Sequence, residues 1–214
     1  MQGIFYENWD SSYIPNILRE IYLDKVYAKY FDGKKDLNIV DAGANIGLFS
    51  QFASQYAKKV VSIEPSSRTM ALFKHMLEFN KITNVVPIAG AISTEDGEMN
   101  FYHNGNTTMN SLKQEVEDGT QEIETVRTLT FETLMKENKL DKIDFLKLDI
   151  EGSEVDVVCS PSFARVAPLI DSMVVEYHVW SGRNPQQLVN ALRDYGFKVE
   201  QIPSDATIYG ATRL

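Results

Sequence analysis

Leu37-Asn38-Ile39-Val40-Asp41-Ala42-Gly43-Ala44-Asn45-Ile46-Gly47 is a short apolar run that ends in a glycine-rich turn, and it decides how the chain around it is laid out. Leu37–Ala42 has the length and content of a buried strand. Gly43 and Gly47 permit the tight turn and close ligand approach of a strand-to-helix junction. Downstream the pattern alternates: a helix over residues 47–57, a strand over 59–64, a helix over 66–80 and a strand over 84–89. Parallel strands need right-handed, usually helical crossovers, so this rhythm predicts an open parallel sheet covered by helices on both faces.

Upstream, Ile14, Ile17, Leu18, Ile21, Tyr22 and Val26 recur at three- and four-residue steps, which predicts an amphipathic helix over residues 13–30 in an N-terminal helical segment, residues 1–36. In the middle of the chain Gly97–His103 and Glu122–Leu129 look like strands around a polar stretch, residues 104–120. This is an inserted hairpin, residues 97–129, whose long loop is a candidate lid or simply an exposed tip. The rhythm resumes with a helix over 130–138, a strand over 143–149, a helix opening near Ser153 and a strand over 171–178. Pro185 suits the first turn of a helix that Gly196 stops, and residues 197–202 and 207–212 are a final antiparallel pair around Pro203-Ser204-Asp205.

A length of 214 residues fits one domain, residues 1–214, and 43% hydrophobic with 24% charged residues is ordinary globular content. Acidic residues outnumber basic ones 30 to 21 and no Lys/Arg run stands out, which disfavours a nucleic-acid partner. Cys159 is the single cysteine, so no internal disulfide forms, and it reads as a small buried residue. Residues 1–10 lack the basic start and apolar run of a secretion signal, and no stretch has the roughly 20 apolar residues of a membrane span. The expected setting is a reducing cytosol, with no membrane.

Glu64 ends the strand after the glycine turn, about 20 residues on, where a ribose-binding carboxylate is expected, although a strand-end Glu beside Pro65 can also be a solvated terminus. A dinucleotide site needs glycines spaced to admit a pyrophosphate, and here Asn45 and Leu48 interrupt that pattern. Asp41 instead offers an acceptor to the cationic amino-acid end of S-adenosylmethionine. The methyl donor is favoured over NAD.

The segments Asp41 to Ser50, Ile63-Glu64-Pro65 and Ile143-Asp144-Phe145-Leu146-Lys147-Leu148-Asp149-Ile150-Glu151-Gly152-Ser153-Glu154 together resemble the FkbM methyltransferases from about Leu37 to His178. The resemblance implies a Rossmann-like class I methyltransferase fold: a mostly parallel seven-stranded sheet with helices on both faces, an antiparallel C-terminal strand and the inserted hairpin. It implies that Asp41, Gly43, Ala44, Asn45 and Gly47 surround the methionine part of S-adenosylmethionine, that Glu64 holds the ribose, and that adenine lies near Pro65, Ala91 and Ile92. It further implies methyl transfer to oxygen on a sugar or other small molecule.

Lys147 and Asp149 share a strand face, as do Glu176 and His178, and both pairs reach the carboxyl edge of the sheet. A buried ammonium needs a carboxylate, so Lys147 should pair with Asp149 or Glu176. For oxygen methylation the acceptor must lose a proton, and the expectation is that His178 or Asp149 takes it while Glu176 orients the partner and Lys147 tunes the charge. The same residues could be a purely structural ion-pair network. Glu151 caps the following turn or joins Asp149, Glu176 and His178 around a divalent metal, a reading not favoured over a metal-free site. Trp180 lines an acceptor pocket or packs under a loop, and His75 and His103 lie outside the cluster. Competing readings are an NAD-dependent oxidoreductase on the same fold and a noncatalytic nucleoside-binding module.

Overall fold

The structure, a computed structural model, describes residues 14–103 and 122–214. The first 13 residues and the polar stretch that was a candidate lid lie outside the described residues. In chain order the elements before the first long crossover are α1 (Ile14–Leu18), a π turn (Arg19–Leu23), α2 (Ala28–Phe31), β1 (Leu37–Ala42), α3 (Leu48–Ala53) and β2 (Ala57–Glu64). Next come α4 (Ser67–Phe79), β3 (Val85–Ala89), β4 (Ala91–Ile92), β5 (Gly97–His103), β6 (Glu122–Leu129) and α5 (Phe131–Asn138). The remainder is β7 (Phe145–Leu148), α6 (Glu154–Val158), α7 (Pro161–Val166), β8 (Ser172–Glu176), α8 (Pro185–Asp194), β9 (Phe197–Gln201) and β10 (Ile208–Arg213).

These strands build the Rossmann-like sheet anticipated above: seven strands in the order β3-β2-β1-β7-β8-β10-β9, with β10 antiparallel to both neighbours and the other described pairings parallel. Sequence order reverses direction between β1 and β7. At such a switch point the loops leaving adjacent strands diverge to opposite faces and open a crevice at the carboxyl ends. The hairpin β5–β6 is present and antiparallel, and the two-residue β4, which was not anticipated, joins it parallel to β6 as a small second sheet.

Alternation along each strand splits the core in two. Val40, Leu146, Leu148 and Val175 face one apolar cluster, while Ile39, Phe145 and Val174 face the other. The second cluster is covered by the N-terminal segment, whose Tyr27, Tyr30 and Phe31 gather around Phe145 at ring-centroid distances of 6.2, 5.1 and 4.9 Å. By the same alternation Asp41, Lys147 and Glu176 belong to this face, under the N-terminal segment.

The single helix expected over residues 13–30 is broken. Asp24 N donates to the carbonyl of Arg19 in a π turn, and Lys25 then takes φ 53°. The break has a packing cause: a straight helix could not bury Ile21 and then Tyr27, Tyr30 and Phe31 on the same sheet face. Cys159, expected to be buried, is exposed, because it caps the end of α6 after the buried Val158 and turns outward there.

Two glycines of the β1 turn are fixed by different neighbours. A Cβ on Gly43 (φ 82°) would fall 1.7 Å from the carbonyl oxygen of Asp149, so the turn crosses the end of β7 at backbone contact. A Cβ on Gly47 (φ 86°) would meet the Phe73 ring of α4 at 2.2 Å. Gly33 has a similar φ of 67° but open space around it. Gly33→Ala should therefore cost only the left-handed strain, about 1–2 kcal/mol. Gly43→Ala adds a backbone clash, and should lower the melting temperature by about 10 °C or more beyond the Gly33 variant in a thermal unfolding experiment. Equal melting temperatures would contradict the close crossing.

Candidate active site

The β1 turn is tied to β2 by its backbone: the N–H groups of Gly43 and Ala44 both donate to the carbonyl of Ile63 at 3.0 Å. Asn45 takes φ 50°, a conformation asparagine tolerates, and its side-chain oxygen accepts from Ile46 N at 2.8 Å. Its own N–H donates to Glu64 Oε2 at 3.0 Å, while Ser66 N donates to Glu64 Oε1 at 3.0 Å. Glu64 is thus clamped between the turn and the start of α4. Burial pushes its carboxyl up to about 7, against the lowering effect of those two N–H donors.

Beside Glu64 lies a narrow cavity of about 60 Å³ lined by Gly43, Asn45, Glu64, Pro65, Ala91 and Ile92, and closed by Phe101 of β5. This brings together Glu64, Pro65, Ala91 and Ile92, the residues expected around a nucleoside. A wider chamber of about 490 Å³ opens on the other side of the turn. Gly43, Asn45, Asp149 and Glu151 line both. Ala44, Lys147, Glu176, His178 and Trp180 line the chamber alone, as do Glu20 of the N-terminal segment and Asp205.

Two expected cofactor residues do not face either cavity. Asp41 is fully buried; its Oδ2 accepts from Ser50, whose hydroxyl also contacts Ser62 at 2.7 Å, and its Oδ1 has no partner among the described residues. Burial raises its pKa, opposed by the nearby Lys147 charge. Asp41 therefore lies sealed beneath the turn, close to the Lys147 charge. Gly47 is occupied by the packing against Phe73 already described.

Lys147 is buried and donates to Asp149 Oδ2 at 2.7 Å and to the carbonyl of Gly43 at 3.4 Å. Of the two carboxylates considered as its partner, Asp149 is the one in contact. Desolvation works against the ammonium, yet Asp149 and Asp41 outweigh it and hold its pKa above the usual lysine range. His178 stands two residues beyond the end of β8 and is held from both sides. Its Nδ1 lies 2.9 Å from Glu154 Oε1, and its Nε2 lies 3.3 Å from Glu151 Oε2 and 3.7 Å from Asp149 Oδ1. Burial alone would lower this imidazole, but Glu154, Asp149 and Glu151 raise it to about 10.

Glu151 (φ 52°) and Gly152 (φ 91°) form a left-handed pair that aims Glu151 into the chamber. Burial first, and then the Asp149 charge, push Glu151 up to about 9; Glu176 is raised to about 8, mainly by Asp149 and then by burial. The Trp180 ring packs on Gly152, where a Cβ would fall 2.7 Å from it, and also lines the chamber beside His178. His103 pairs instead with Glu124 at 3.2 Å on the hairpin, apart from this cluster.

Three site residues escaped sequence reasoning. Phe101 closes the narrow cavity, Glu20 reaches the chamber while accepting from the Tyr27 hydroxyl, and the fully buried Glu154 orients His178 and accepts from Ile150 N and Gly152 N at 2.9 and 3.1 Å. Glu20 left one signal, a charge three residues after Ile17 within the apolar stripe of the first helix.

Comparison with known proteins places these features in a family. The family model for the methyltransferase FkbM domain matches residues 41–199, the span from the glycine turn to the penultimate strand. Methyltransferase 1 of Beauveria bassiana is 29% identical over 182 residues, covering 75% of this chain and 72% of that protein. The hexuronic acid methyltransferase AglP of Haloferax volcanii is 22% identical over 171 residues, covering 79% and 66%. The crystal structure of methyltransferase FkbM from Methylobacillus flagellatus matches with a TM-score of 0.56 at 12% identity over 95% of this chain and 61% of that one, a likeness of fold. The chain spans about two thirds of the length of these three relatives. It belongs to the FkbM family of methyltransferases, with S-adenosylmethionine as its methyl donor.

Proposed function

We propose that this methyltransferase acts on oxygen, at a hydroxyl of a sugar or other small molecule held in the wide chamber, with Glu176 as the group that takes the hydroxyl proton. The observation that carries this reading is the Glu176 carboxylate itself: it lines the chamber at the end of β8 and makes no hydrogen bond to any described residue. The other candidates are committed. Both nitrogens of His178 face carboxylates, and Asp149 is bonded to Lys147. An amine acceptor would need no such base once neutral, whereas a hydroxyl is too weak a nucleophile until its proton is leaving.

The donor fits residues already in place. Glu64 offers its remaining lone pairs to ribose hydroxyls, Phe101, Pro65, Ala91 and Ile92 form an apolar slot for the flat base, and the exposed main chain of Gly43–Asn45 faces the chamber where the methionine part would extend. Bound there, S-adenosylmethionine supplies a methyl group activated by a sulfonium. As the acceptor oxygen receives that methyl group, Glu176 would take the hydroxyl proton. Asp149, fixed by Lys147, and the His178 imidazole held by Glu154 build the wall against which the acceptor is oriented. The sugar reading draws support from AglP, named as a hexuronic acid methyltransferase.

Glu176→Gln should lower kcat by about 10²–10⁴ while leaving the affinity for S-adenosylhomocysteine unchanged, measured by turnover and by calorimetry. Mass spectrometry of products from a panel of hydroxylated sugars and phenols should place the new methyl on oxygen; methyl found on nitrogen or carbon sinks the reading.

Glu64 gives a pH prediction. Ribose hydroxyls donate to the ionised carboxylate, so nucleoside binding favours the deprotonated form of a group that titrates at about 7 in the free protein. Affinity for S-adenosylhomocysteine should therefore rise with pH through neutrality, by about tenfold from pH 6 to pH 8, with proton release on binding near pH 6. Glu64→Gln should flatten that dependence and weaken binding by about 10- to 100-fold at pH 8 through the lost charge-assisted bonds. A pH-independent affinity in the wild-type protein would detach Glu64 from the ribose.

A further inference from the structure

Next to Glu176 the rim of the chamber carries a second set of donors, and we propose that Asp149, Glu151 and His178 bind one divalent cation of the Mn²⁺ or Mg²⁺ class. Each residue offers one ligand atom, and the three atoms lie within 4.8 Å of one another. His178 Nε2 is 3.3 Å from Glu151 Oε2 and 3.7 Å from Asp149 Oδ1. Ligands bonded to one ion at about 2.0–2.3 Å stand about 3–4 Å apart, so the observed spacing needs little adjustment. The three come from separate segments, the end of β7, the left-handed turn after it and the chain leaving β8.

A second observation, independent of the crowding of acids, concerns the imidazole. Glu154 is fully buried behind it and holds Nδ1 at 2.9 Å, which leaves Nε2 as the ring atom turned toward the two carboxylates. A buried carboxylate that fixes one ring nitrogen while the other faces oxygen ligands is the arrangement that orients metal-binding histidines. Asp149 divides its oxygens in a compatible way: Oδ2 is bonded to Lys147 and Oδ1 faces His178. Glu154 Oε2, in addition, is buried with no partner among the described residues.

Two carboxylate oxygens with one imidazole suit a hard or borderline cation, and three protein ligands leave coordination positions open toward the chamber. The cation takes the place of the proton that Nε2 otherwise shares with Glu151. An acceptor hydroxyl binding at an open position would be polarised and made more acidic beside Glu176. That use of the ion rests on the oxygen-methylation reading; the cation site itself rests only on the side chains and can stand if the acceptor atom proves to be another.

The test is titration of the full, metal-stripped chain with MnCl₂, following free Mn²⁺ by its electron paramagnetic resonance signal. One saturable site per chain is expected, with His178→Ala and Glu151→Gln abolishing it. Glu154→Gln should weaken it by about 10- to 100-fold through loss of the ring's orientation. Circular dichroism and thermal unfolding, measured on the same samples, report that the variants are folded. Pulsed resonance on the wild-type complex should show imidazole nitrogen coupled to the bound ion, a readout that needs no variant. The absence of a saturable site at millimolar Mn²⁺, binding unaltered by the His178 and Glu151 substitutions, or a bound ion with no nitrogen coupling would each overturn the proposal and leave His178 as a structural counter-ion.

Discussion

The site depends on one buried charge, the Lys147 ammonium at the seam between β1 and β7. It lies opposite Asp41 across that seam, bonds to Asp149 two residues further along its own strand, and reaches the carbonyl of Gly43. A lysine buried there without these partners would cost several kcal/mol, so the sheet can close at this point only with the carboxylates in place. One cation thereby fixes the glycine turn and the end of β7 together, where a Cβ on Gly43 would already collide with the backbone of Asp149. The two cavities meet at these residues.

From that seam outward the chamber is a problem of excess negative charge. Asp149, Glu151, Glu154 and Glu176 converge from the ends of β7 and β8, and Glu20 adds another carboxylate from the N-terminal segment. Lys147 and His178 offset part of this, and the rest appears as carboxyls raised toward or above neutrality at Glu176 and Glu151. Such a pocket receives a cationic donor readily and keeps proton acceptors close to it, a physical setting suited to transferring a methyl cation equivalent. It also explains why Glu154 is buried without being idle: it holds the turn at residues 150–152 and the imidazole above it with a single oxygen.

Much of this was legible in the residues. The βαβ rhythm around the glycine turn, the hairpin between Gly97 and Leu129, and the charges at the ends of β7 and β8 follow from periodicities of 2 and 3.6 and from where charge interrupts an apolar run. What was not legible has a common cause, because it depends on contacts between distant segments. The first helix breaks at Lys25 to lay three aromatic rings on one strand face, and β4 is too short to show a period. Phe101 looks like any strand aromatic until the hairpin folds over the narrow cavity beside Glu64, and Cys159 turns outward only because α6 ends there.

By itself, the sequence determined the class of sheet, the place of the turn and the acid that follows it, since these are local patterns that any chain with this spacing must satisfy. Tertiary structure alone decided which of these groups are sealed, bonded or open to a cavity. Asp41 and Glu64 are both acids at strand ends near the turn, but packing sealed the first beneath Ser50 and opened the second to the slot. Likewise Glu176 ends β8 and His178 lies two residues on, and only the arrival of Glu154 and Glu151 from another segment ties up the imidazole, while the carboxylate makes no hydrogen bond among the described residues. Ionisation and hydrogen bonding are set by what surrounds a group in space, and that information is spread over the whole chain.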